Sequence, residues 1–532
     1  MKNKTGNFLF IGCIFLIWLI TYIICTIVWE QRIGLDETSY LSTAKGISES
    51  FDFNSRFFTV LGILKYGFPH HTHHYPLYPI YLALFFKLFG ATLQVAYFST
   101  WFSGLITCIF IYLLMVEMTG SDSFYSFFTA VSFLFLPRII NYCDTAMMEI
   151  PGCALLSMCC YFIFRGLNTR KINPLIAGLL AIWLFLFKSL YFGVVAGIAL
   201  LILIAKDKWT LRVIDFFKYI GIMSGIYFLL IKFVFLPLAP MMNFTKKQEN
   251  LGTYIDSFGG FFYDPIDNLI LNVKGFLKLI VFQYYPKFPL ILFEGEEGTY
   301  LLTPSWFDFA LFWIVFFYVC LFLIFLWKDI SAANRIFILF SIFSIIVMNV
   351  IFTLLVVTNT GQKCRHNTLY YPLLLISGSL LLRPLFLKYK RKFSLVLLSV
   401  ILLLYFPFFV SQSKAEEWSK LKYHTMLSNR SEIIKKFLRG SKPMFIYFND
   451  STHTTWDLFP VRVILQESTN MRMKEMNSKL PKPIEYLFLS PQNNLFKENQ
   501  DLILKGKPII DNKYILYGID NLNKIVVYKL VS

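Results

Sequence analysis

Charge is scarce in this chain: Asp, Glu, Lys and Arg together make up 15% of its 532 residues. Acids are scarcer than bases, 32 against 50, which leaves a formal charge of +18. No cysteine follows Cys364, so the polar C-terminal stretch has no disulfide framework and must fold on its core alone. Of the nine cysteines, Cys13, Cys25, Cys108, Cys153, Cys159, Cys160 and Cys320 lie inside apolar runs. The adjacent Cys159 and Cys160 lack metal-ligand spacing and read as small packing residues of a helix. No Rossmann or P-loop glycine fingerprint occurs, so no nucleotide phosphate site of either kind is built here. No small-residue cleavage site follows the first apolar run, Phe8 to Trp29, which is also too long for a signal-peptide core.

What is abundant is apolar surface. Hydrophobic residues make up 56% and aromatic residues 19% of the chain, and the mean hydropathy is +0.59. Several runs reach the roughly 20 apolar residues that a bilayer-spanning helix needs. The chain therefore reads as a polytopic membrane protein. Its positive charge belongs to cytoplasmic loops and to attraction for anionic head groups or phosphates, with no nucleic-acid partner implied.

Lys2 and Lys4 precede the first span and place the N-terminus in the cytoplasm by the positive-inside rule. Thr38 to Ser50, with Tyr40, Leu41, Ala44 and Ile47 on one face, predicts an amphipathic helix along the membrane surface. Tyr81 to Gly90 is too short to span and reads as a juxtamembrane or re-entrant helix. Further spans are expected at Val95–Met118, Phe124–Ile140, Pro151–Phe164, Pro174–Phe187, Leu190–Ala205, Tyr219–Leu236, Trp306–Trp327, Ile336–Val357, Thr368–Leu382 and Phe393–Val410. That makes about 11 spans with basic clusters mostly on the cytoplasmic side, in a multi-pass protein of the bacterial inner or plasma membrane. The long loop Pro237–Ser305 carries the exceptions, Lys246, Lys247, Lys274 and Lys278.

The chain divides in composition into a transmembrane domain, residues 1–410, and a small α/β domain outside the membrane, residues 411–532. In the second domain, strands are expected at Met444–Phe448, Tyr486–Leu489, Tyr514–Tyr517 and Ile525–Tyr528, and a helix near Arg430–Leu438.

This topology sorts the polar residues. Asp36, Glu37, His70, His71, His73, His74, Asp144, Glu149, Lys188, Lys363, Arg365 and His366 all fall at the ends of apolar segments on the extracytoplasmic side. One such charge is ordinarily structural; a dozen on one face point to an active site or a transport path. Asp36 before Thr38 and Ser39 could cap the surface helix, or one carboxylate of the Asp36–Glu37 pair could take a proton from an acceptor hydroxyl while the other orients it. The histidines could be a solvated loop, hold a divalent ion with nearby carboxylates, or face a phosphate when protonated. Lys188, between two apolar halves, could snorkel or pair with a lipid phosphate. Arg365 beside Lys363 and His366 suits a phosphate clamp or ordinary head groups. A carboxylate base beside surface cations suits attack on a lipid-linked sugar phosphate, with polyprenyl phosphate leaving. A transporter or flippase of a lipid-linked glycan, or an inactive assembly subunit, is the alternative; no internal repeat supports the former.

Four stretches carry a resemblance. GLDETSYLSTAKGI is similar to an Asp-Glu motif in a first outer loop, and HHYPLYPIYLALFFKLFG to a Lys-Pro-Pro-Leu-Tyr segment ending in Leu-Phe-Gly. PRIINYCDTAMMEIPGCALL and GLLAIWLFLFKSLYFGVVAGIALLIL match a third-to-fourth-span loop and a Gly-rich span with a central Lys; RHNTLYYPLLLISG is a weaker match. Together they resemble the GT-C class of integral-membrane glycosyltransferases, the group with protein O-mannosyltransferases and lipid A aminoarabinose transferases. The resemblance implies a general base at Asp36 with Glu37 beside it, Asp144 or Glu149 arranging the acceptor or a metal, and His74, Lys188 and Arg365 at the donor phosphate. It puts His73 where some members carry a metal-contacting acid. His74 and Tyr75 stand where the family has Lys and Pro, so phosphate contact there would depend on pH. The implied partners are a polyprenyl-phosphate sugar and a glycolipid, polysaccharide or protein acceptor. The C-terminal domain does not resemble the repeat domain of the mannosyltransferases.

Overall fold

The computed structural model describes residues 4–28, 35–53, 57–59, 77–120, 122–136, 139, 142–143, 145–168, 173–188, 191–204, 209–235, 326–355, 368–389, 434–438, 441, 443–448, 462–465, 468–491, 493–521 and 524–531. The chain divides into two compact units. One comprises residues 1–31, 97–229 and 250–418, and the other residues 32–96, 230–249 and 419–532.

The first unit is a helical bundle. Its described helices are α1 (Lys4–Val28), α4 (Leu93–Thr119, from Tyr97 onward), α5 (Ser123–Leu134), α6 (Glu149–Asn168), α7 (Pro174–Phe187), α8 (Phe192–Ile204), α9 (Trp209–Leu229), α10 (Ala332–Leu355) and α11 (Thr368–Tyr389). Between α1 and α4 the chain belongs to the second unit, with α2 (Leu35–Ser50) and α3 (Leu77–Phe89). Among the described residues, four segments are long and apolar enough to cross a membrane: Asn7–Thr26, Leu93–Thr119, Thr210–Val234 and Thr368–Tyr389. Shorter apolar helices include Pro174–Phe187 and Phe192–Ile204. This is an integral membrane protein. Its interior is apolar and aromatic, with Trp101, Tyr112, Phe133, Phe164 and Tyr219 fully buried. Trp18 ties α1 to α4 by donating its indole N–H to the Trp101 carbonyl at 2.7 Å. Lipid-facing positions stay exposed, as at Phe217, Phe228 and Trp183.

Two glycines set the closest helix contact. A Cβ on Gly193 would sit 2.3 Å from the Ser344 carbonyl oxygen, and one on Gly197 would sit 2.3 Å from Ser344 Oγ. Four residues apart on α8, they let α10 approach at backbone distance, the small-residue packing that works where lipid offers no hydrophobic driving force.

Helix ends follow local signals. Asn173 accepts from the Leu175 N–H at 3.0 Å and Pro174 opens α7, a position where its missing N–H is harmless. α9 starts at Trp209, earlier than the apolar run beginning at Tyr219, because Arg212, Asp215 and Lys218 occupy its first turns and Lys218 reaches Asp215 at 3.9 Å. Charged residues spaced at helical period continue a helix beyond its apolar stretch.

The second unit joins α2 and α3 to a mixed six-stranded sheet. Its strands are β1 (Phe57–Thr59), β2 (Phe445–Phe448), β3 (Arg462–Leu465), β4 (Tyr486–Leu489), β5 (Tyr514–Asp520) and β6 (Ile525–Leu530), in the order β1-β3-β2-β4-β6-β5. β1, β3, β2 and β4 run parallel, while β6 is antiparallel to β4 and to β5. Helices α12 (Asn470–Lys479), α13 (Asn494–Glu498) and α14 (Gln500–Leu504) supply Met473, Met476, Leu495 and Ile503 to a core with Phe445, Tyr447, Leu487, Leu489 and Tyr528. The expected strands β2, β4, β5 and β6 and a helix at 434–438 are present; β3 and β1 are additional. β1 comes from the segment after α2, so the sheet is assembled from both ends of the chain.

Candidate active site

The residues singled out in the sequence divide between the two units. Asp36 and Glu37 lie in the first turn of α2, and the Glu37 side chain is buried. The body of that helix is buried beyond the expected face: Tyr40, Leu41, Ala44 and Ile47 are covered, and so are Ser42 and Thr43. Tyr40 packs edge-on against Tyr78 of α3 with ring centroids 5.0 Å apart, and Lys87 Nζ donates to the Ser48 carbonyl at 3.4 Å. The helix is thus covered on more than the one face expected of an amphipathic helix lying along a membrane surface. The Asp36 side chain, His70, His71, His73, His74, Asp144, Lys363, Arg365 and His366 lie outside the described residues.

In the bundle, the structure brings together Glu149 and Lys188. Glu149 is the first residue of α6, and Lys188 caps the C-terminus of α7, its N–H bonding the Leu184 carbonyl at 3.0 Å. Lys188 Nζ donates to Glu149 Oε1 at 2.9 Å, with side-chain exposures of 3% and 0%. Lys188 therefore does not snorkel. α7 has 14 residues, a length of about 21 Å against a hydrocarbon layer of ~30 Å. A helix this short cannot carry both ends out of an apolar layer, so a charge at its end needs a partner close by. Glu149 gains in turn from the positive end of the α6 dipole, being in the first turn. Removing either partner takes away a close charge contact of a buried group, a loss of up to about 3–5 kcal/mol.

Around this pair the chain closes tightly. Cys153, one turn along α6, donates Sγ–H to the Thr368 carbonyl at 3.2 Å, which fixes the start of α11. A Cβ on Gly152 would lie 2.5 Å from the Tyr191 hydroxyl, so glycine there admits the tyrosine that opens α8. The Tyr191 ring lies 6.0 Å from that of Tyr370. Thr100 of α4 donates to the Thr145 carbonyl at 2.9 Å, anchoring the turn before α6. Cys153, Tyr191 and Thr368 were not legible as neighbours of the ion pair. The available signal was the Glu at the start of one apolar segment and the Lys at the end of the next but one. Among the described residues no three His, Cys, Asp or Glu side chains gather as a metal site.

The arrangement fixes an ammonium between the start of α6 and the end of α7. The ammonium has three donors, and Glu149 takes one of them.

A family model described as dolichyl-phosphate-mannose-protein mannosyltransferase matches residues 71–235, a stretch that contains both Glu149 and Lys188. No curated protein gives a significant match. Among solved structures, ArnT from Cupriavidus metallidurans in the apo state matches with a TM-score of 0.56 and 13% identity. The same enzyme bound to undecaprenyl phosphate matches with a TM-score of 0.54 and 11% identity. Both alignments cover 100% of this chain and 99% of the other. The chain is thus similar in fold, over its whole length, to a GT-C membrane protein, as the four sequence stretches implied.

Proposed function

We propose that this protein is a membrane glycosyltransferase that moves a sugar from a polyprenyl-phosphate-linked donor to an acceptor at the extracytoplasmic face. The observation that carries the reading is the full-length fold similarity to ArnT, one of whose structures holds undecaprenyl phosphate. The mannosyltransferase family match over 71–235 supports it independently. Within this reading Asp36 is the general base, taking the acceptor proton as the acceptor attacks the anomeric carbon, and Glu37 orients it. Asp144 and Glu149 arrange the acceptor side, and His74, Lys188 and Arg365 meet the phosphate that leaves. The buried contact with Glu149 is consistent with that role for Lys188. Glu149 holds its ammonium in place, so little reorganisation need accompany the growth of charge on the leaving oxygen. His73 is the contact proposed for a divalent ion.

The test is release of the leaving group. Purified protein in lipid, given a panel of radiolabelled polyprenyl-phosphate sugars and a membrane extract as acceptor, should release polyprenyl phosphate. Asp36→Asn should reduce the rate by roughly 10²–10⁴-fold while the melting temperature is kept. Failure of the wild type to release polyprenyl phosphate across the panel, together with movement of intact donor across the bilayer, would replace the enzyme with a transporter.

A further inference from the structure

The segment between α2 and α3 is part of the C-terminal sheet. Phe57–Thr59 forms its edge strand, parallel to β3 in the register Phe57↔Val463, Phe58↔Ile464 and Thr59↔Leu465. α2 ends at Ser50, so only residues 51–56 separate the helix from the sheet. An extended chain covers at most ~3.6 Å per residue, and a connection this short transmits a displacement at either end.

The exit from α2 is itself constrained. Phe51 has a φ of 53° although it is neither glycine nor asparagine. Bulky residues take that conformation where the surroundings over-determine it. Its ring is 75% exposed, so burial of the ring is not what holds it there. The conformation turns the chain sharply: the Phe51 N–H bonds the Ile47 carbonyl at 3.1 Å, and the Asp52 N–H returns to the Gly46 carbonyl at 3.2 Å. Phe53 is then buried. α2 is gripped along its body by α3, through Tyr40–Tyr78 and Lys87–Ser48, and at its end by this exit leading into β1.

We infer that the C-terminal sheet is a brace for α2, acting through the β1–β3 pairing, and is therefore a positioning element for the transfer reaction. The functional half rests on the reading of Asp36, in the first turn of α2, as the base; the mechanical half does not. A brace on the base side sets turnover and leaves donor affinity alone.

The experiment uses Phe58→Pro in the full-length protein, because proline holds φ near −65°, away from the roughly −120° of a parallel strand, and a three-residue pairing has no length to absorb the change. Its counterpart adds Phe57→Cys and Val463→Cys at register positions, where parallel strands run ~4.8 Å apart and a disulfide can form. Phe58→Pro should speed amide hydrogen exchange across residues 35–50 by about tenfold or more. It should slow polyprenyl phosphate release ~10-fold or more, with polyprenyl phosphate binding unchanged. In the oxidised triple variant both exchange protection and turnover should return, and reduction should remove them again. Unchanged exchange over residues 35–50 in Phe58→Pro, or an oxidised triple variant that recovers neither property, overturns the brace. A wild type that releases nothing overturns the proposed function instead, and the exchange arms still decide the brace.

Discussion

The bundle and the sheet satisfy their polar groups in different ways. In the bundle, many hydroxyls turn back on their own helix: Thr21 to the Ile17 carbonyl, Ser103 to Ser99, Thr107 to Ser103, Thr129 to Tyr125 and Ser341 to Phe337. Each of these bonds spans four residues and holds no two elements together. In the sheet unit several side-chain bonds join segments far apart in the chain. Asn470 and Asn499 exchange amide bonds, Glu485 accepts from the Met444 N–H, and Asn477 joins the Ile484 N–H to the Tyr514 hydroxyl. Where lipid surrounds the protein, an unmet polar group has no water to fall back on, so local satisfaction is the safe solution. A long-range charge pair inside such a bundle is an expensive exception. Among the described residues of the bundle Glu149–Lys188 is the long-range ion pair, and the same kind of contact in the sheet unit would signify nothing beyond ordinary folding.

The largest effect should come from breaking the exception. Lys188→Met leaves Glu149 buried without its cation, at about 3–5 kcal/mol. The melting temperature in lipid or detergent should fall sharply. Glu149→Gln combined with Lys188→Met removes both charges and should recover most of that loss. If the pair served packing alone, turnover would recover with stability; the expected result is a stable double variant that remains slow. Full recovery of both would assign Glu149 and Lys188 to structure.

A smaller effect is expected from helix packing, which tests whether the bundle depends on shape where the sheet depends on polar bonds. Gly193→Ala places a methyl group 2.3 Å from the Ser344 carbonyl oxygen, a backbone atom that cannot swing aside. The expected loss is about 1–3 kcal/mol, read as a lower melting temperature. Gly221→Ala is the control. Among the described residues nothing lies within 4 Å of its Cβ position, and replacing a helix-interior glycine should stabilise by about 0.5–1 kcal/mol.

The same contrast explains what could be read from sequence. Pro174–Phe187 and Tyr486–Leu489 were legible residue for residue. The first is a continuous apolar run opened by Asn-Pro, and the second a compact aromatic and aliphatic strand between polar neighbours. β1 and β3 were not legible, because three or four residues show no period and each acquires its identity from a partner far away in the chain. The four matching stretches carried the fold class. Glu149 and Lys188 were each visible at the end of an apolar segment, but 39 positions separate them. Nothing local says that the start of α6 meets the end of α7. Sequence supplied the members of the site, and only the packing of helices supplied the pairing.

The smallest expected effect falls in the sheet unit, where one polar bond among many is removed. Tyr514 is fully buried, donates to the Ile484 carbonyl at 2.7 Å and accepts from Asn477 at 3.0 Å. Burial pushes its phenol up to about 12 from an ordinary 10.0, against a lesser downward pull from Asn477. The folded pKa is raised, so the contribution of the neutral phenol is fully present below pH 10.0 and is lost as pH rises toward about 12. Tyr514→Phe removes the bonds, at about 1 kcal/mol, and with them the titration. At neutral pH the variant should therefore exchange its sheet amides modestly faster than wild type. Above pH 10.0 the wild type should lose protection while the variant does not, so the two exchange profiles, each corrected for the intrinsic pH dependence of exchange, should converge. Profiles that stay parallel across that range would mean that the Tyr514 hydroxyl ionises in the folded chain as readily as in the unfolded one, because water reaches it, and that the sheet tolerates its polar groups more loosely than the geometry indicates.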